Sequence, residues 1–129
     1  MKYLCLGYYT VDGRDRLTRD EYAAIVARCG PLDAELRGCG KAGVVASLVE
    51  HEVVTLRTRA GELSATDGPY VESKEQVGSF LIVEASDLND AVRIASRHPA
   101  ARLGEELGWA LEVRPIGHLE EYRRDGGIR

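Results

Sequence analysis

The chain has 129 residues, 44% of them hydrophobic and 29% charged, with a formal net charge of −4. That is the length of one domain. It is large enough to bury a core without staples and too apolar in composition to stay disordered. A mildly acidic chain with no basic block is a poor candidate for gripping nucleic acid, because phosphates need clustered Lys and Arg.

The opening KYLCLGYY reads as a strand, with Leu4, Leu6 and Tyr8 on one face and Tyr3, Cys5, Gly7 and Tyr9 on the other. Its apolar run is too short for a signal peptide. Asp12-Gly13 marks a loop. Thr18 with Glu21 three residues on forms a capping box, and Leu17 with Tyr22 forms a hydrophobic staple, so a helix starts there. Tyr22, Ile25, Val26, Cys29, Leu32 and Leu36 carry an apolar stripe at helical spacing. At Gly30-Pro31 the helix is expected either to kink or to restart, because proline removes a donor and crowds the preceding turn. Gly38 and Gly40 end it.

Residues 42–49 and 53–59 read as two strands, with Glu50-His51-Glu52 short enough to link them as a hairpin. Gly61 turns the chain, and 62–66 extend an extra ribbon. Asp67-Gly68-Pro69 is a turn signal, and a polar stretch from Glu72 to Gln76 follows. Residues 77–85 form the next strand. Ser86 or Asp87 caps a second helix carrying Leu88, Ala91, Val92 and Ala95, and His98-Pro99 closes it. After a loop over 100–108, residues 110–116 form the last strand, and 117–129 a C-terminal arm. The order is the ferredoxin-like β-α-β-β-α-β of an α+β domain, with an extra ribbon before the fourth main strand.

Two helices cover one face of such a sheet. Strands 53–59 and 77–85 are apolar on both faces, so the uncovered face needs a partner. A second copy in a two-fold homodimer is the expected answer. The competing one is that loop 62–76 and the C-terminal arm fold over it.

The segment DGPYVESKEQVGSF resembles the DGPF signature of YCII-related domain proteins. The opening KYLCLGYY, the stretch VEASDLNDAVRIASRHPAA and the closing LEVRPI agree, so the resemblance covers residues 1–116. Tyr70 replaces the usual Phe, Ser79 stands where a second Gly is common, and the Gly30-Pro31 break is atypical. The resemblance implies a dimeric α+β barrel. It also implies a pocket between sheet and helices or at the dimer seam, lined partly by the Asp67 loop. It further implies either enzymes of small-molecule metabolism or proteins linked to sigma factors of the extracytoplasmic-function class. In parts of the family a His–Asp pair is implied as the active site.

Asp67, His98 and Tyr70 are accordingly the candidate catalytic residues. Gly68, Pro69, Glu72, Lys74 and Arg114 are the candidate ligand contacts. The simpler reading of the Asp67 loop is a capped, solvated turn. Arg114 either pairs with Glu112, two residues away on one face, or holds an anionic ligand. His98, after a helix end, would be favoured as a cation by the helix dipole. His51 and His118 are expected on the surface.

Three cysteines without a C-x-x-C pair make neither a disulfide framework nor a metal clip. They fit a reducing cytosol, so a cytoplasmic location is expected. No stretch approaches the ~20 apolar residues of a membrane span. No metal, cofactor, nucleic-acid or membrane partner is expected. The expected function is a small-molecule-binding or accessory, regulatory homodimer, linked by the resemblance to a sigma factor. The alternative is a cofactor-free enzyme of proton-transfer, isomerase or lyase type acting on a small organic molecule.

Overall fold

A computed structural model describes residues 1–129. Strands β1 (Lys2–Thr10), β2 (Ala42–Ser47), β5 (Glu75–Glu84) and β6 (Ala110–Pro115) form one antiparallel sheet in the order β2-β5-β1-β6. Helix α1 (Arg19–Gly38) crosses from β1 to β2. Helix α2 (Leu88–Ala95) and the short α3 (Pro99–Arg102) lie between β5 and β6. With β5 inserted between β1 and β2, this is the ferredoxin-like split arrangement.

Strands β3 (Val54–Arg59) and β4 (Glu62–Asp67) stand apart as a two-stranded ribbon. The hairpin expected between 42–49 and 53–59 therefore does not form. The reason is local. Ala60 and Gly61 both have positive φ, 51° and 79°, the geometry of a two-residue turn whose twist matches its strands. That turn pairs β3 with β4 and leaves β2 to β5.

Thr18 caps α1 as expected. Its hydroxyl accepts from the Glu21 N–H at 3.1 Å, and the Glu21 carboxylate accepts from the Thr18 N–H at 2.9 Å. The helix does not restart at Gly30-Pro31: α1 runs through Pro31 as one helix of 20 residues. Asp87, not Ser86, caps α2 by accepting from the Asp90 N–H. The second helix stops at Ala95, so His98-Pro99 does not close it. His98 is instead the N-cap of α3, with Pro99 in its first turn. Proline suits that position because its missing N–H would have no helical partner.

The core gathers at one end of the sheet. Tyr3, Cys5, Leu81, Val83 and Ala85 meet Leu36 of α1 and Ala91, Ile94 and Ala95 of α2. Burial pushes the Cys5 thiol up to about 11, which makes it an inert core side chain. The outer face carries Leu4, Leu6, Phe80, Ile82, Val44 and Ala46, aligned across three strands. No helix packs on it. No helix of the chain is long and apolar enough to cross a membrane.

Candidate functional site

Helix α1 buries only Leu36, near its C-terminal end. The sheet facing it across the cleft offers small residues: Gly7 of β1, and Gly78 and Ser79 of β5. Gly78 is the extra residue of a β-bulge, since Gly7 pairs with Ser79 and Tyr8 with Val77. Bulges re-aim side chains and recur beside functional sites. Here the Tyr9 ring lies over Gly78, where a Cβ would sit 2.8 Å from it. Helix and sheet thus stand apart, and a cleft of about 720 Å³ opens between them. That is within the ~300–1,000 Å³ of small-molecule sites.

Tyr22, Cys29 and Asp33 of α1 form one wall. His98 with Pro99 at the start of α3, and Leu107 with Trp109 before β6, form the other. Arg14, Arg37 and Glu50 also border it, and the Arg14 guanidinium lies 4.2 Å from the centroid of the Tyr22 ring, a cation–π contact.

Three groups in the cleft titrate away from their ordinary values. Burial lowers the His98 imidazole, and the nearby Asp33 carboxylate opposes that in part. Burial and then Asp33 raise the Cys29 thiol. Burial and then Glu50 raise the Tyr9 phenol. In each case desolvation disfavours the charged form, and an adjacent carboxylate favours positive or neutral states. The cleft therefore holds a neutral imidazole, a neutral thiol and a neutral phenol, with Asp33 beside the first two and Glu50 beside the third. The cation expected at His98 does not suit this place, because His98 is 8% exposed and begins a helix rather than ending one.

Of the sequence-derived candidates, His98 alone lines the cleft. Asp67 ends β4, exposed and opposite Val54. Gly68, at φ 106°, donates its N–H to the Val53 carbonyl at 2.7 Å and accepts from the Thr55 hydroxyl at 2.7 Å. The loop thereby closes the base of the ribbon. Tyr70 is exposed with the Arg57 guanidinium 5.4 Å from its ring. Pro69, Glu72 and Lys74 are also exposed, and the Lys74 carbonyl accepts from the Val11 N–H at 2.7 Å. Arg114 lies on the outer face, pairing with Glu112 at 2.6 Å. No three His, Cys, Asp or Glu side chains converge to hold a metal ion.

Asp33, Cys29, Tyr9 and Ser79 are the cleft residues that sequence reasoning passed over. One signal pointed to Asp33. It stands four residues after Cys29 and three before Leu36, a charged residue on the same helical stripe as a half-buried and a buried neighbour.

A family model described as the YCII-related domain matches residues 1–116. An uncharacterised protein of Rhizobium meliloti (strain 1021) is 30% identical over 117 residues, covering 90% of this chain and 92% of its own. Among solved structures, the chain is similar to a 5-chloro-2-hydroxyhydroquinone dehydrochlorinase from Burkholderia phenoliruptrix AC1100 in complex with 2,5-dihydroxybenzoquinone. That likeness is 23% in identity, with a TM-score of 0.36, over 92% of this chain and 95% of that one.

Proposed function

The chain belongs to the family of YCII-related domain proteins, and from that premise we propose that it is a homodimeric small-molecule-binding protein whose ligand enters the cleft beneath α1. The observation that carries this is the cleft itself. A floor of small residues beneath the Tyr9 ring, further aromatic side chains, and polar and charged groups set among apolar ones suit a ligand site. The homodimer follows from the outer face. Leu4, Leu6, Phe80, Ile82 and Val44 form one apolar surface across three strands. A second copy packed sheet against sheet covers it with the same residues on both sides.

Ligand-observed NMR with a mixture of small organic acids, ketones and phenols tests the binding reading. Val45 borders the cleft and is 54% exposed, so V45W fills the opening without disturbing the core. Saturation transfer to one or more compounds in the wild type, lost in V45W, is the expected result. No transfer at millimolar concentrations rules the reading out. An accessory role beside a sigma factor makes no use of the cleft, and V45W would leave it intact.

A cofactor-free enzyme of proton-transfer, isomerase or lyase type is the second reading. Asp33 and His98, facing one cleft from two elements, favour it, because acid–base catalysis needs groups positioned within reach of one substrate. Incorporation of solvent deuterium into a bound compound, abolished in D33N, would separate an enzyme from a carrier.

A further inference from the structure

We infer that His98 is locked as the Nε2–H tautomer and offers that N–H to a carbonyl or oxyanion oxygen of the ligand, opposite the Asp33 carboxylate. This rests on the cleft being a ligand site and deepens that reading by naming the ligand chemistry.

The lock is the cap of α3. The Ala100 N–H donates to His98 Nδ1 at 3.0 Å. A backbone amide nitrogen donates and does not accept, so Nδ1 must keep its lone pair free. In a neutral imidazole the proton then sits on Nε2. A proton on Nδ1 would face the Ala100 N–H donor to donor and break the cap. The ring is held in place by the backbone around it. The Ala101 N–H donates to the His98 carbonyl at 3.0 Å, and the Leu103 N–H to that of Pro99 at 2.8 Å.

Nε2 has no protein partner, because the one hydrogen bond of the ring is made by Nδ1. No polar side-chain atom sealed inside the protein lacks a partner, so Nε2 is not sealed. His98 lines the cleft, and that is the space we assign to Nε2. Asp33 lines the same cleft and acts on His98 through its charge, without forming an ion pair with it. A ligand that meets both groups would present an acceptor oxygen to His98 and an acidic hydrogen to Asp33. A carbonyl compound with an activated C–H beside the carbonyl, a β-dicarbonyl for instance, meets both needs.

The arrangement also assigns roles for any proton transfer. Nε2 already carries its hydrogen, so His98 is not the base. The C–H proton passes to an Asp33 oxygen, and the C–H electron pair moves into the new C=C bond. The carbonyl oxygen becomes an enolate held by Nε2–H. Return of the proton to the same carbon gives hydrogen exchange, and return to the γ-carbon of a ligand whose enolate is conjugated with a further C=C completes an isomerisation; nothing else is consumed.

The test is long-range ¹H–¹⁵N correlation of the wild-type imidazoles at pH 7.5, with acetylacetone as the probe and cyclohexylamine as a control lacking an acceptor oxygen. The expected result is an unprotonated Nδ1 and a protonated Nε2 at His98, whose hydrogen moves downfield with acetylacetone alone. Affinity for acetylacetone should drop about tenfold in H98F, the loss of one hydrogen bond, and stay nearer wild type in H98Q, whose amide N–H reaches toward the Nε2 position. An Nδ1–H tautomer or an imidazolium at that pH overturns the inference. So does an Nε2–H that ignores acetylacetone while V45W-sensitive cleft amides shift, and in that case the ligand-site reading survives. If no compound of the wider mixture reaches the cleft, both fall together.

Discussion

Asp33 and His98 reach the cleft from α1 and from the cap of α3, and the Asp33 charge bears on both His98 and Cys29. The carboxylate favours the imidazolium and disfavours a thiolate at Cys29. D33N should therefore lower both values, the His98 pKa read from ring carbon shifts and the Cys29 pKa from the pH dependence of its alkylation. A His98 value that stays put would mean that the two side chains do not communicate.

His98 also ties stability to pH. Its folded value lies below the ordinary 6.5, so below that pH the unfolded chain binds a proton that the folded chain resists. The contribution is complete above about 6.5 and is lost as pH falls from there toward the depressed folded value. The one charged group that bears on it is Asp33, whose charge opposes the shift that burial causes. H98N keeps a capping oxygen and removes the titration. The difference in denaturation midpoint between wild type and H98N should be flat above pH 7 and should shift against the wild type as pH drops through 6.

At the scale of elements, α1 has a strong start and a loose seat. Its capping box is complete, but only Leu36 is buried. T18A should cost about 1 kcal/mol, the usual worth of such a cap, measured by urea denaturation with an unchanged m-value. A cost near zero would mean that the first turn of α1 frays in the native state. Gly78 sits under the Tyr9 ring, so G78A must push that ring off the cleft floor. Its effect should appear more in ligand affinity than in the denaturation midpoint, because the core lies at the other end of the sheet.

These elements show how much of the fold was legible. The capping box at Thr18 and Glu21, the cap at Asp87 and the alternation of Phe80 and Ile82 against Leu81 and Val83 all depend on residues a few positions apart. Sequence spacing displays them directly. The pairing of 54–59 was harder to see. It turned on Ala60 as well as Gly61 taking positive φ, and a non-glycine residue rarely does so. Pro31 misled in the other direction. A proline inside a helix usually signals a break, whereas α1 continues through it with residue 31 exposed.

For the whole molecule, the ferredoxin-like sheet has helices on one face and none on the other. The residues on the free face are apolar in the centre and charged at β6, where Glu112 and Arg114 pair. Covering the centre is the proposed work of the second copy. F80K places a charge in that face, and sedimentation should then report a single 14.1 kDa species where the wild type sediments at twice that mass. A wild type that is already monomeric at micromolar concentration would leave the apolar face unexplained and remove the dimer.

Local chemistry in the sequence determined the strands, the helix starts and the order that makes this an α+β domain, because side-chain alternation, turns and caps are set by residues a few positions apart. The site was decided by tertiary packing. Asp67 and Tyr70 looked catalytic beside a rigid turn, yet that turn serves the ribbon. The cleft exists because small residues of β1 and β5 come to lie under a helix that is seated only at its far end. A void of that kind depends on the distance between separate elements, and spacing along a chain carries no measure of that distance.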